Sequence, residues 1–326
     1  MSSVGHLFSY IAAPGLLSSG PVRIAALVGA VVAITSGTVG VFTVTRGQSF
    51  AGHSLADVAT TGGSGAFLIG LNQFWGFLVF GVGAAAFLEI IGVQRRRGRD
   101  VATGVVLGAA LGVAALFLYL GSVTTSTTGA SFTVLFGSIF VIAPSTVPVL
   151  VASGVIAVIV VVVLSRVLLL SSLSPDIAAA RGVPVRLVGA TYLMALAVSV
   201  SLAAVAIGAV LSTALLIGPA ATALRVARGP ERAMATSAVI GVIATWLGII
   251  LAYDSYYWPP RGHGWPVSFF IVAFVAVFYL LTYLRRPSRR GRAQAAAGPS
   301  SPRGPRGPKG PAEQAGPGER ACSAAS

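Results

Sequence analysis

Charge is scarce in this 326-residue chain: Asp, Glu, Lys and Arg make up 9% of it, against about 25% in an average soluble domain. So few charges cannot cover a water-facing surface, which excludes a soluble enzyme. Cysteine is scarcer still. Cys322, in the C-terminal tail, is the only one, so no intrachain disulfide can form and the membrane body holds no Cys–His nucleophile pair. Lysine is limited to Lys309 near the C-terminus, so no Gly-rich phosphate loop ending in Lys is present. The chain is therefore expected to be no enzyme, without an ATPase motif of its own, and any active transport must draw on another chain or an ion gradient.

What is present is apolar. Hydrophobic residues make up 55% of the chain and the mean hydropathy is +0.88. Spanning about 30 Å of hydrocarbon takes roughly 20 apolar residues as helix. Candidate spans lie at 23–44, 51–70, 74–92, 101–121, 148–170, 187–205, 206–224, 233–252 and 267–284. The expected fold is all-α, a polytopic membrane protein with about 8–9 transmembrane helices. Residues 131–146 are apolar but short and run into Pro144. They read as a re-entrant piece, since irregular backbone at membrane depth survives only when buried in protein.

The formal net charge of +14 is spread between apolar runs rather than gathered on one face, which argues against a nucleic-acid partner. Arginines mark the cytoplasmic side. Arg95, Arg96, Arg97 and Arg99 place the loop at 94–100 inside, and counting forward places 171–186, 225–232 and the C-terminus inside as well. Residues 122–130 and the aromatic-rich loop at 253–266 then fall outside. Residues 1–22 read as an N-terminal interfacial segment with no removable signal peptide, and 23–284 as the transmembrane domain. Residues 285–326, rich in Pro, Gly and Arg, read as a disordered cytoplasmic tail.

Ionisable groups inside a bilayer are costly and mark sites by default. Six of the eight acids fall in loops, at edges or in the tail; Asp57 and Glu89 lie within candidate spans, as does one histidine, His53. Positions i and i+4 share a helix face, so His53 and Asp57 point into the same space. An imidazole and a carboxylate together suit Zn²⁺, Mn²⁺ or Fe²⁺. The plainer alternative is an intrahelical His–Asp contact that satisfies two costly groups. Thr60 and Thr61 continue that side, and Gly52, Gly62, Gly63 and Gly65 permit close helix approach. Glu89 is expected to reach inward and pair with an arginine.

Several blocks resemble the permease subunits of ABC importers for zinc, manganese or iron. Residues 46–57 occupy the place of the family's Arg stretch and Gly-Asp-x-x-Ser-His block. Arg99-Asp100 through Gly104, Leu135-Phe136-Gly137-Ser138-Ile139, Pro175-Asp176 through Pro184, and residues 212–223 resemble four further family blocks in the same order. The ligand order is exchanged: His53 stands in the family's Asp slot and Asp57 in its His slot.

The resemblance implies a homodimer in the plasma membrane, a cytoplasmic ABC ATPase subunit and an extracytoplasmic metal-binding protein. It implies a transported divalent metal rather than a permanently bound cofactor. Asp176, Gly182 and Val183 of one inside loop, and Gly218 and Pro219 of a second segment, become candidates for ATPase coupling. Pro219 was the reason to expect a helix break there and a short docking helix beyond it. Two alternatives stay open: a siderophore- or cobalamin-type permease, and an ATP-independent secondary carrier.

Overall fold

The computed structural model describes residues 19–90, 99–124, 129–137, 139–256 and 264–284. The expected tail at 285–326, most of the N-terminal segment and the Arg95–Arg97 cluster lie outside the described residues; Gly20, Pro21 and Val22 already belong to the first helix. In chain order the helices are α1 (Gly20–Thr45), α2 (Ser49–Leu68), α3 (Gln73–Ile90), α4 (Arg99–Thr124), α5 (Gly129–Phe136), α6 (Val147–Leu173), α7 (Pro175–Ala180), α8 (Val185–Ile207), α9 (Ala209–Val226), α10 (Pro230–Ser255) and α11 (Val267–Leu284). Each of the nine candidate spans coincides with one long helix. Among the described residues seven helices are long and apolar enough to cross a membrane, while α2 is too polar and α3 too short to count with them.

Glycine and proline place the boundaries. Pro21, Pro148, Pro175 and Pro230 sit in the first turns of their helices, where the missing N–H is no loss. Gly47 (φ +64°) and Gly70 (φ +74°) take the left-handed conformation that closes α1 and α2. At the first of these, Gln48 N–H donates to Thr43 O at 2.8 Å and Gly47 N–H to Val44 O at 3.1 Å. This double bond pattern caps the helix and turns the chain tightly into α2.

α1 and α8 form the centre, with 67% and 72% of their spans buried; α4, α6 and α11, at 17% to 22%, form the rim. The gradient of composition is inverted relative to a soluble protein. The central helices bury Thr35, Ser36, Thr38, Thr43, Ser199 and Ser201, and α6, the most apolar helix, is mostly exposed. Between helices in lipid no hydrophobic drive acts, so small and hydroxylated residues that permit close packing line the contacts. At Gly62 of α2 and Gly76 of α3, an added Cβ would strike the other glycine's carbonyl, so the α2–α3 hairpin packs backbone to backbone there.

The piece at 131–146 does not cross. α5 is followed by single 3₁₀ turns at Ile139–Val141 and Pro144–Thr146, and its end lodges against the α8–α9 junction. Gly137 (φ +77°) and Gly208 (φ +92°) meet there backbone to backbone: a Cβ on Gly137 would lie 2.5 Å from Gly208 N, and one on Gly208 would overlap Leu135 O. Thr146, at its exit, accepts a hydrogen bond from Asn72 Nδ2 of the α2–α3 turn at 2.8 Å. Both ends of the segment therefore stay at the same end of the bundle.

A candidate metal pathway site

The helix α2 carries the candidate pair. It begins at Ser49, so at 1.5 Å per residue His53 stands about 6 Å and Asp57 about 12 Å along it. His53 Nε2 lies 3.4 Å from Asp57 Oδ2, so the spacing of four brings both groups to one face. They differ in depth. Asp57 is 7% exposed, whereas the His53 side chain is 48% exposed: the carboxylate is inside the bundle and the imidazole at its edge.

The Asp57 carboxylate is under-satisfied. Its buried Oδ2 has no hydrogen-bond partner, because the contact to His53 is not aligned as one. The hydroxyls around it are committed to backbone carbonyls: Ser54 to Ala51 O, Thr60 to Ala56 O, Ser64 to Thr60 O, and Thr61 to Ala110 O of α4 at 2.8 Å. A buried carboxylate oxygen without a donor is costly. Chemically it is a carboxylate oxygen acceptor 3.4 Å from an imidazole nitrogen. Among the described residues no group of three or more His, Cys, Asp or Glu comes together, so one chain offers two strong donors here.

The coupling candidates separate into two places. Asp176, Gly182 and Val183 belong to one unit. Asp176 is exposed in the first turn of the six-residue α7. Gly182 (φ +76°) and Val183 close that helix, with Val183 N–H donating to Ala178 O at 3.1 Å and Gly182 N–H to Ala179 O at 2.9 Å. Gly218 and Pro219 lie elsewhere, and the expected break is corrected: α9 runs through Pro219 to Val226 without interruption. Gly218 packs so closely on Val275 of α11 that a Cβ would overlap it. The neighbouring helix holds the backbone helical despite the missing donor, so the only short helix beside these candidates is α7.

Glu89 lies at the end of α3 and forms no ion pair with an arginine among the described residues; the Arg95–Arg97 cluster lies outside them. The sequence reading missed the surroundings of Arg46. The guanidinium lies over the Tyr192 ring, 5.4 Å from its centroid, and donates to Ser171 Oγ at 3.2 Å. Tyr192 OH and Thr43 Oγ1 are 2.7 Å apart. The available signal was a single tyrosine placed among small residues of a central span. Asp254, at the start of the aromatic-rich loop, is buried at the end of α10.

Among the described residues, seven membrane-length apolar helices, a segment that does not cross, a buried carboxylate with an imidazole at the bundle's edge and a short capped helix between two spans fit one class, the multi-span membrane permeases. Residues 21–284 match the ABC 3 transport family, and the chain belongs to it. It is 30% identical over 265 residues to the manganese import system permease protein ScaB of Streptococcus parasanguinis, covering 81% of this chain and 90% of that one. It is 28% identical over 240 residues to the manganese transport system membrane protein MntC of Listeria innocua, covering 73% and 84%. Its fold is similar to PsaBC from Streptococcus pneumoniae in complex with Fab, with a TM-score of 0.74, 24% identity, and 89% and 99% of the two chains covered.

Proposed function

We propose that this chain is the plasma-membrane permease subunit of an ABC importer that brings a divalent transition metal, manganese foremost, into the cell. The observation that carries the reading is the buried, unpartnered Asp57 Oδ2 beside His53. A carboxylate oxygen left without a donor is poised for a cation, and the similarity to the manganese permeases ScaB and MntC favours manganese over zinc. Nitrogen and oxygen donors accept Zn²⁺, Mn²⁺ and Fe²⁺ alike, so the donor set itself does not choose.

Two strong donors cannot replace a cation's hydration shell. A second copy of the chain related by a two-fold axis supplies a second His53 and Asp57, and the half-exposed imidazole at the bundle's edge is placed for such a meeting. The metal is cargo, held long enough to shed water and released. A cytoplasmic ABC ATPase docks at α7, where exposed Asp176 and the turn at Gly182 and Val183 form a compact knob; an extracytoplasmic metal-binding protein delivers at the opposite end. In this arrangement the α7 end is cytoplasmic, and so is the C-terminal tail.

ATP-dependent uptake of radiolabelled manganese tests the reading, with the permease and its ATPase reconstituted in vesicles. Uptake should fall sharply in His53→Ala and Asp57→Asn. Unchanged uptake in both variants removes the pair from the pathway. Uptake that needs no ATPase would instead support the secondary carrier.

A further inference from the structure

At the α7 end of the bundle the Arg46 side chain touches two helices, α6 at Ser171 and α8 at Tyr192, and its backbone leads straight into the turn before α2. Arg46 ends α1, and two residues on, after Gly47 and Gln48, α2 begins. Gln48 O accepts from Gly52 N–H at 3.0 Å, so the turn and the first turn of α2 are one hydrogen-bonded unit, with His53 directly beyond. The guanidinium donates to Ser171 Oγ at 3.2 Å. Buried Ser171 donates in turn to Leu168 O at 3.0 Å, so its lone pairs are free to accept. Ser171 is two residues from the end of α6, and Ser174 is at once the C-cap of α6 and the N-cap of α7. No slack separates Ser171 from α7. Beneath the guanidinium lies the fully buried Tyr192 ring of α8.

We infer that Arg46 is a positioning residue that carries displacement of α7 to the helix bearing His53 and Asp57. This rests on the reading of α7 as the ATPase contact. The chemistry suits the task. A guanidinium has several donors in a rigid plane and can stack on a ring while hydrogen-bonding at its edge, so it fixes direction as well as distance. Its connection to α6 is one hydrogen bond to one hydroxyl, which makes the link separable from the fold. Removing it leaves α7 capped and the His53–Asp57 pair intact, yet lets one move without the other.

The test uses the complete permease–ATPase complex in vesicles and reads manganese taken up per ATP hydrolysed, with thermal stability and manganese binding measured on the same preparations. Arg46→Gln should lower that ratio about tenfold, and Ser171→Ala, a substitution too small to threaten folding, about threefold, with ATP hydrolysis retained. Arg46→Lys, which keeps charge without the plane, should restore part of the ratio. An unchanged ratio overturns the inference. So does a fall of hydrolysis, stability and uptake in proportion, which marks a purely structural residue.

A metal-independent readout separates this from failure of the manganese assignment. In a Cys322→Ser background, spin labels at Phe50→Cys on α2 and Ile177→Cys on α7, both exposed positions, report the spacing of the two helices with and without ATP. The spacing should hold constant in the parent and vary in Arg46→Gln. Equal variation in both overturns the role of Arg46 whether or not manganese is the cargo.

Discussion

Asp57→Asn should make the protein more stable and the transporter worse. An aspartate at the centre of a membrane helix costs about 2.5–3.5 kcal/mol on insertion scales, and here the carboxylate is 7% exposed with Oδ2 unpartnered. His53 at 3.4 Å offsets part of that cost. The amide keeps the shape and removes the charge, so a gain of about 1–2 kcal/mol is expected. In a chain of this size that raises the melting temperature by about 2–4 °C, read by tryptophan fluorescence in detergent. His53→Ala should move it the other way, because the carboxylate loses its one near counter-group. The double variant should resemble Asp57→Asn rather than the sum, since contacting residues couple. Manganese uptake should drop at least tenfold with either ligand lost. A lower melting temperature for Asp57→Asn with uptake intact would refute the reasoning, because the carboxylate would then be satisfied and structural.

Gly208→Ala should destabilise by about 2–4 kcal/mol, combining a left-handed backbone with overlap on Leu135 O; thermal melting checks it, and a loss below 1 kcal/mol would mean that the α5 end can shift. Gly182→Ala meets no atom within 4 Å, so only backbone strain of about 1 kcal/mol remains. Co-purification of the ATPase should weaken in Gly182→Ala and recover in Gly182→Asn, which tolerates that conformation. Asn72→Ala removes both the bond to Thr146 and the side-chain cap on Phe74 N–H at 3.0 Å, and should cost about 1–2 kcal/mol in the same melting assay.

Helix positions were legible because bilayer thickness sets their length and Pro and Gly mark their ends. The candidate at 206–224 becomes Ala209–Val226 for one reason: Gly208 takes φ +92°, and nothing local distinguishes it from helical glycines such as Gly218. Pro219 misled in the opposite direction, since a proline held by neighbouring helices stays inside a helix. The shared face of His53 and Asp57 follows from their spacing, but their unequal depth depends on which helices cover α2. Ser171 and Tyr192 are each more than a hundred residues from Arg46 in sequence, so their meeting with it could not be read from any window of the chain.

The polarity of α2 bears on how the protein enters its membrane. A helix bearing His53, Asp57, two threonines and several glycines gains too little from lipid to partition on its own. Its tight glycine crossing with α3 means the two partition together, as a hairpin. A ribosome-tethered intermediate ending at residue 70 should therefore leave α2 extractable, and one extended past α3 should retain it. During biogenesis the segment that carries His53 and Asp57 is a passenger of its neighbours.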